Sequence, residues 1–190
     1  MGNREDLLGG AVRCLREKGY AQITARDIAS AAGTSLAAIG YHFGSKEALL
    51  NAALFEVMDS WGAEFATAMP DDDVSDPIER FATAWTGLLE VATRQPELAA
   101  ASFESFLQAR RSPELRAQLA AGQEEGRRGL VAVIQGIDEA DVTDEQSRTL
   151  GSFYSALLSG VLGQWLIDPD RAPSGRDLAE ALRAVTGGGG

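Results

Sequence analysis

Signals for starting a helix recur along this 190-residue chain, and no stretch alternates apolar and polar residues for long enough to make a half-buried strand. Thr24-Ala25-Arg26-Asp27 and Thr143-Asp144-Glu145-Gln146 are capping-box patterns, in which a hydroxyl and a residue three positions on satisfy each other's free backbone amides. Ser75-Asp76-Pro77 and Ser112-Pro113-Glu114 place proline at a first helical position, where its missing N–H costs nothing. Alanine and leucine far outnumber valine and isoleucine. The expectation is an all-α protein of about nine helices.

The first helix is expected from Asn3 to Lys18, with Leu7, Ala11, Cys14 and Leu15 on one stripe and Gly19 as a left-handed cap. A short second helix follows Thr24 and stops at Gly33. Ser35 is expected to cap a third reaching Tyr41, and Ser45 a fourth that begins at Lys46 and carries Leu49, Leu50, Ala53, Leu54, Val57 and Trp61. Met69-Pro70-Asp71-Asp72-Asp73 reads as a solvated acidic loop. A fifth helix then starts at Pro77, a sixth at Pro96 and a seventh at Pro113. The seventh holds Gly122, Gly126 and Gly129 about one turn apart, which are either tolerated or there to admit a close neighbour. The eighth runs to about Ile167 and the ninth from Ser174 to Val185, before a glycine tail at 187–190 expected to be disordered.

Composition removes several function classes. A lone cysteine makes no intramolecular disulfide and falls short of a thiolate metal site, so Cys14 reads as core and the chain suits a reducing cytoplasm. No uninterrupted apolar stretch approaches the ~18 residues of a membrane span, and acids at Glu5 and Asp6 do not suit a signal peptide. One histidine and one cysteine leave little acid–base or nucleophilic chemistry; carboxylate-only catalysis stays open as a minor alternative. The net charge is −11, but the first 50 residues hold six bases against five acids, and the rest 11 against 23. That split would orient a near-neutral head toward a polyanion.

Residues 24–46 carry the informative constellation. Two short helices crossing steeply need a small residue at the crossing, a glycine to turn and an apolar residue facing back, and Ala29, Gly33 and Ile39 fit those needs. The second helix of the pair then leaves Leu36, Ala37, Ala38, Tyr41 and His42 pointing outward, which suits close approach to a duplex groove flanked by phosphates. His42 and Tyr41 also have plainer structural readings at the helix end.

The segment ITARDIASAAGTSLAAIGYHFGSKEALL, residues 23–50, resembles the TetR family of bacterial transcriptional regulators over about a quarter of the chain. The resemblance implies a helix-turn-helix DNA-binding domain over residues 1–47 and a helical ligand-binding and dimerisation domain over 48–186. It implies that Thr24 and Arg26 approach phosphate, that Ser35, Leu36, Ala37 and Ala38 face base edges, that Tyr41 and His42 grip backbone, and that Lys46 holds phosphate at a helix start. Leu36 and Gly40 depart from the lysine and the aromatic residue that many members carry there, and the basic N-terminal arm is reduced to Arg4.

One recognition helix contacts too few bases, so a two-fold dimer reading half-sites about 34–36 Å apart, or a multiple, is expected on palindromic double-stranded DNA. The eighth helix has apolar residues spread wider than one core stripe, with small residues between them. By the family resemblance, Phe153, Leu157, Gly160, Val161, Gln164 and Trp165 would face a second copy, the eighth and ninth helices of two subunits forming a four-helix bundle. Trp61, Phe65, Phe81, Trp85, Phe103, Phe106 and Tyr154 are either plain core or the lining of a pocket for a small apolar or aromatic effector. Effector binding would tilt the fourth helix and shift the spacing of the recognition helices, a coupling of ~1–3 kcal/mol. The function expected is a ligand-released repressor needing no cofactor and no metal; the alternative is a helical interaction module that binds no DNA.

Overall fold

The computed structural model describes residues 4–68, 76–110 and 112–187. Asn3 as a helix start, the Met69–Asp73 loop, Ser75 and the last three glycines lie outside the described residues. Within them the protein is helical without strands: α1 (Arg4–Lys18), α2 (Ala25–Ala31), α3 (Leu36–Phe43), α4 (Lys46–Ala68), α5 (Pro77–Thr93), α6 (Pro96–Ala109), α7 (Pro113–Gln135), α8 (Asp144–Ile167) and α9 (Gly175–Gly187). Residues 147–151 make a π-turn inside α8.

Packing divides the chain into two compact units, Met1–Ser60 with Gln95–Ala120, and Trp61–Arg94 with Ala121–Gly190. This differs from the 47/48 division read from the sequence. The reason is that α6 and the start of α7, distant in sequence, pack with the N-terminal helices, and α4 and α7 are each long enough to belong to both units.

In the first unit, Leu7, Ala11 and Leu15 of α1 and Ile28 of α2 are fully buried, joined by Leu49, Leu50 and Ala53 of α4. Burying an aliphatic side chain of this size contributes about 1.5–3 kcal/mol. Gly10 lets α1 close onto the end of α2, where a Cβ would come 2.9 Å from the Ala32 side chain. Arg13 donates to the Ala31 carbonyl, locking the same crossing. Cys14 is buried on α1, and that burial pushes its thiol up, as expected of a packing residue. Tyr20 is buried too and donates from its hydroxyl to Asn51 Oδ1 of α4 at 2.8 Å. Its burial pushes the phenol up to about 12.

In the second unit, Phe81 and Trp85 of α5 form a core with Phe65, Val131, Ile134, Val142, Tyr154 and Ala179. The Tyr154 hydroxyl accepts from Gln135 Nε2 at 2.7 Å. Two glycines set the helix spacing here. A Cβ on Gly175 would meet the Ala82 carbonyl at 2.5 Å, so α9 lies directly on the α5 backbone, and one on Gly151 would meet the Arg127 carbonyl at 2.8 Å, so α8 lies on α7. Gly126 and Gly129 of α7 have nothing within 4 Å, so no neighbour among the described residues exploits their small size.

α8 spans 24 residues and is long and apolar enough to cross a membrane by length and composition alone, although serines, glycines and a glutamine interrupt its apolar run. Only 22% of its most apolar window is buried.

Candidate nucleic-acid interface

Three local devices build the site. Thr24 caps α2 with the expected box: its Oγ1 accepts from Asp27 N at 3.2 Å, and Asp27 Oδ2 accepts from Thr24 N at 2.8 Å and from Thr24 Oγ1 at 2.6 Å. Lys18 of α1 donates to Asp27 Oδ1 at 2.6 Å. The ammonium and the hydroxyl together hold the Asp27 carboxyl well below the usual carboxylate range. Gly33, at a φ of 63°, makes the turn that alanine would strain. Ile39 then faces inward and is buried, with Ala29 buried opposite on α2. α3 ends at Phe43, two residues beyond the expected Tyr41, with Gly44 as its C-cap, and Ser45 caps α4 by accepting from Ala48 N at 3.0 Å.

Ser35 stands at the N-cap of α3 with extended backbone, but it makes no capping hydrogen bond. The expected cap is therefore absent, and the hydroxyl lies at an exposed helix start. Leu36 is 48% exposed, Ala37 and Gly40 are exposed, and Tyr41 is 85% exposed. Spacings of one, four and five residues place these four on one arc, with Ala37 and Tyr41 opposite Ile39 and Leu36 at the edge bordering it. Ala38 and His42 stand on the shoulder, half-buried, so they are less outward than the sequence suggested. The Tyr41 and His42 rings meet edge-on at 4.9 Å.

Around this arc, Arg26 is exposed on α2. Lys46 is half-buried, donating from Nζ to the Ile23 carbonyl at 3.0 Å with Glu47 Oε1 3.4 Å away. Its ammonium is thus fixed beside the start of α4 rather than swinging free. Thr24 is exposed, with its hydroxyl already engaged in the cap. Arg4, the one basic residue expected to serve as an arm, has its guanidinium 5.0 Å over the Phe43 ring at the end of α3. Gly40 was not anticipated as part of the outward face; its signal in the sequence is the absence of a side chain one turn past Leu36.

The outward arc thus joins Leu36, Ala37, Gly40 and Tyr41, with the Ser35 and Thr24 hydroxyls, exposed Arg26 and the held Lys46 ammonium around it. The family described as "Bacterial regulatory proteins, tetR family" matches residues 7–53, and "Tetracyclin repressor-like, C-terminal domain" matches residues 76–188. The chain belongs to the TetR family. It is a DNA-binding transcriptional regulator. The HTH-type transcriptional regulator BetI of Rhizobium meliloti is 30% identical over 147 residues, 73% of this chain and 67% of that protein. The HTH-type transcriptional repressor AcnR of Corynebacterium glutamicum is 47% identical over 47 residues, 25% of each chain. The crystal structure of the multidrug binding protein EbrR complexed with imidazole superimposes with a TM-score of 0.68 at 26% identity, covering 96% of this chain and 88% of that one.

The residues anticipated elsewhere in this TetR-family chain divide. Phe65, Phe81, Trp85 and Tyr154 are all buried in the core of the second unit, and half-buried Trp61 belongs to that unit as well. Phe103 and Phe106 fall in the first unit, with their rings 6.1 Å apart and Phe106 partly exposed. Burial inside a protomer could not be told from periodicity alone. Along α8, Phe153, Gly160 and Gln164 are exposed and Leu157 and Trp165 half-buried. Val161, in contrast, is 3% exposed and packs inside the chain, so it is not on the exposed side of α8.

Proposed function

We propose that the protein is a cytoplasmic homodimeric repressor that binds a two-fold operator and is released by a small, largely apolar or aromatic effector. The outward arc of α3 carries the reading: Leu36, Ala37 and Gly40 enter the major groove, with Ser35 at its edge, Ala38 on the flank, and Tyr41 and His42 against the sugar-phosphate backbone. Thr24, Arg26 and Lys46 lie along the phosphates, where Lys46 adds its charge to the free amides at the start of α4.

The partner-facing surface is the apolar length of α8 that its own protomer leaves uncovered, centred on Phe153, Leu157, Gly160, Gln164 and Trp165. Ile167 and Val185, both more than four-fifths exposed, extend it at the ends of α8 and α9. An uncovered apolar helix of this length in a regulator of two-fold DNA favours a second copy as its partner.

Two buried indole N–H groups support the effector. Trp85 is fully buried and its Nε1 has no acceptor among the described residues; Nε1 of Trp61 is also buried without one among them. A buried donor left unpaired costs about 1–3 kcal/mol, and a ligand carrying a carbonyl, ether or hydroxyl oxygen would relieve it. The comparison with EbrR, a multidrug binding protein, agrees with such a ligand. AcnR, a repressor, supports repression as the direction of control.

Binding to a DNA duplex measured against salt concentration tests this reading. Affinity falls steeply with salt, and Lys46→Ala lowers the slope of log K against log salt by about one, because one phosphate is left without its cation. A salt-independent or absent interaction would instead favour the helical module that binds no DNA.

A further inference from the structure

We infer that this regulator reads its operator through thymine methyl groups, with Leu36 as the discriminating side chain. The inference rests on α3 being the helix that enters the groove. From Thr34 to Phe43 the chain is Thr-Ser-Leu-Ala-Ala-Ile-Gly-Tyr-His-Phe, with no arginine, lysine, asparagine, glutamine or carboxylate. Those are the side chains whose paired hydrogen bonds distinguish guanine, adenine or cytosine by their major-groove edges. The outward arc instead offers Leu36 with half its surface open, the Ala37 methyl, and the bare backbone of Gly40 one turn on, which has nothing within 4 Å. Only thymine presents an apolar group in the major groove, its C5 methyl.

The missing side chain at Gly40 lets the helix settle deep enough for short groups at 36 and 37 to touch the groove floor. Leu36 stands in the first turn of α3, the end of a recognition helix that contacts base edges. Ser35, whose hydroxyl makes no capping bond, adds one hydrogen bond to this face without selecting a base. Base selection therefore falls to methyl contact, and the polar contacts from Arg26, Tyr41 and Lys46 go to the backbone, which carries no sequence.

The test uses the full-length protein and duplexes of about 30 base pairs enriched from a randomised library, long enough for two half-sites. Each thymidine of an enriched duplex is replaced in turn by deoxyuridine, which pairs identically and lacks only the methyl group. At one or two positions per half-site the replacement should weaken binding about fourfold, and about 16-fold when both half-sites carry it, as burial of one methyl each implies. Leu36→Ala, at a half-exposed position and with folding checked by circular dichroism, should bind the thymine duplex more weakly and cease to distinguish the two bases there. Deoxyuridine tolerated at every position, with duplex binding intact, would overturn the inference while leaving DNA binding standing. A deoxyuridine penalty undiminished in Leu36→Ala would overturn the assignment to Leu36. Failure to enrich any duplex would overturn the DNA reading beneath both.

Discussion

The same substitution, glycine to alanine, should have opposite effects on the two facing helices of the second unit. At Gly126 in α7 nothing lies within 4 Å of an added Cβ, so Gly126→Ala only removes backbone freedom from an exposed helix interior, a gain of up to ~1 kcal/mol. At Gly151 in α8 the Cβ would stand 2.8 Å from both the Arg127 carbonyl oxygen and its Cβ, against 3.4 Å for ordinary contact. Because the obstacle is backbone, α8 must retreat from α7, and overpacking of this kind costs ~1–3 kcal/mol. For a chain of this size each kcal/mol moves the thermal midpoint by about 2–4 °C. Gly126→Ala should therefore melt higher, by up to about 4 °C, and Gly151→Ala about 2–12 °C lower, read by circular dichroism at matched protein concentration. A destabilised Gly126→Ala would mean that the glycine face of α7 is covered after all. A neutral Gly151→Ala would mean that α7 and α8 do not approach backbone to backbone.

Two further perturbations probe the DNA-binding head. Asp27 has its carboxyl held below the ordinary value of ~3.9, so its contribution is complete above that pH and lost as pH falls beneath it. Asp27→Asn should be less stable than the parent protein at pH 6 in urea, with the gap closing as the medium is acidified below pH ~3.9; a gap independent of pH would contradict the cap and the Lys18 pair. Tyr20→Phe leaves the buried Asn51 carbonyl without its donor and should cost about 1–3 kcal/mol. In the parent protein the Tyr20 phenol should ionise near 12 rather than 10, by ultraviolet titration, and its stabilisation should fade as pH rises above 10. Ionisation near 10 would show that the ring is not buried.

What the sequence disclosed was local. The capping boxes at Thr24 and Thr143, the stop at Gly33 and the inward Ile39 involve side chains and backbone within a few residues of one another, and all appear in the structure. Ser35 shows the limit even there: the pattern permits a cap, but the hydroxyl does not make one. Features set by what lies across a packing surface stayed hidden. Gly151 and Gly175 look like any helix glycine until Arg127 and Ala82 are seen against them, whereas the more conspicuous row in α7 faces open space at Gly126 and Gly129. Val161 shares the apolar character of Leu157 and Phe153, and only the packed helix shows that it turns inward. The seven aromatics looked alike in sequence for the same reason, since helical spacing reveals a stripe and not the unit that stripe packs into.

The central claim is that the outward arc of α3 lies against a duplex, and Ala37→Glu tests it most directly. The new carboxylate sits on an exposed position away from the core, so folding should be unchanged by circular dichroism. In the groove it would face phosphates, and like-charge juxtaposition costs several kcal/mol. Titration of an enriched duplex should show affinity reduced at least about 100-fold, while Gln118→Glu, adding the same charge on exposed α7, binds as the parent does. Equal affinity for Ala37→Glu and Gln118→Glu would contradict the account.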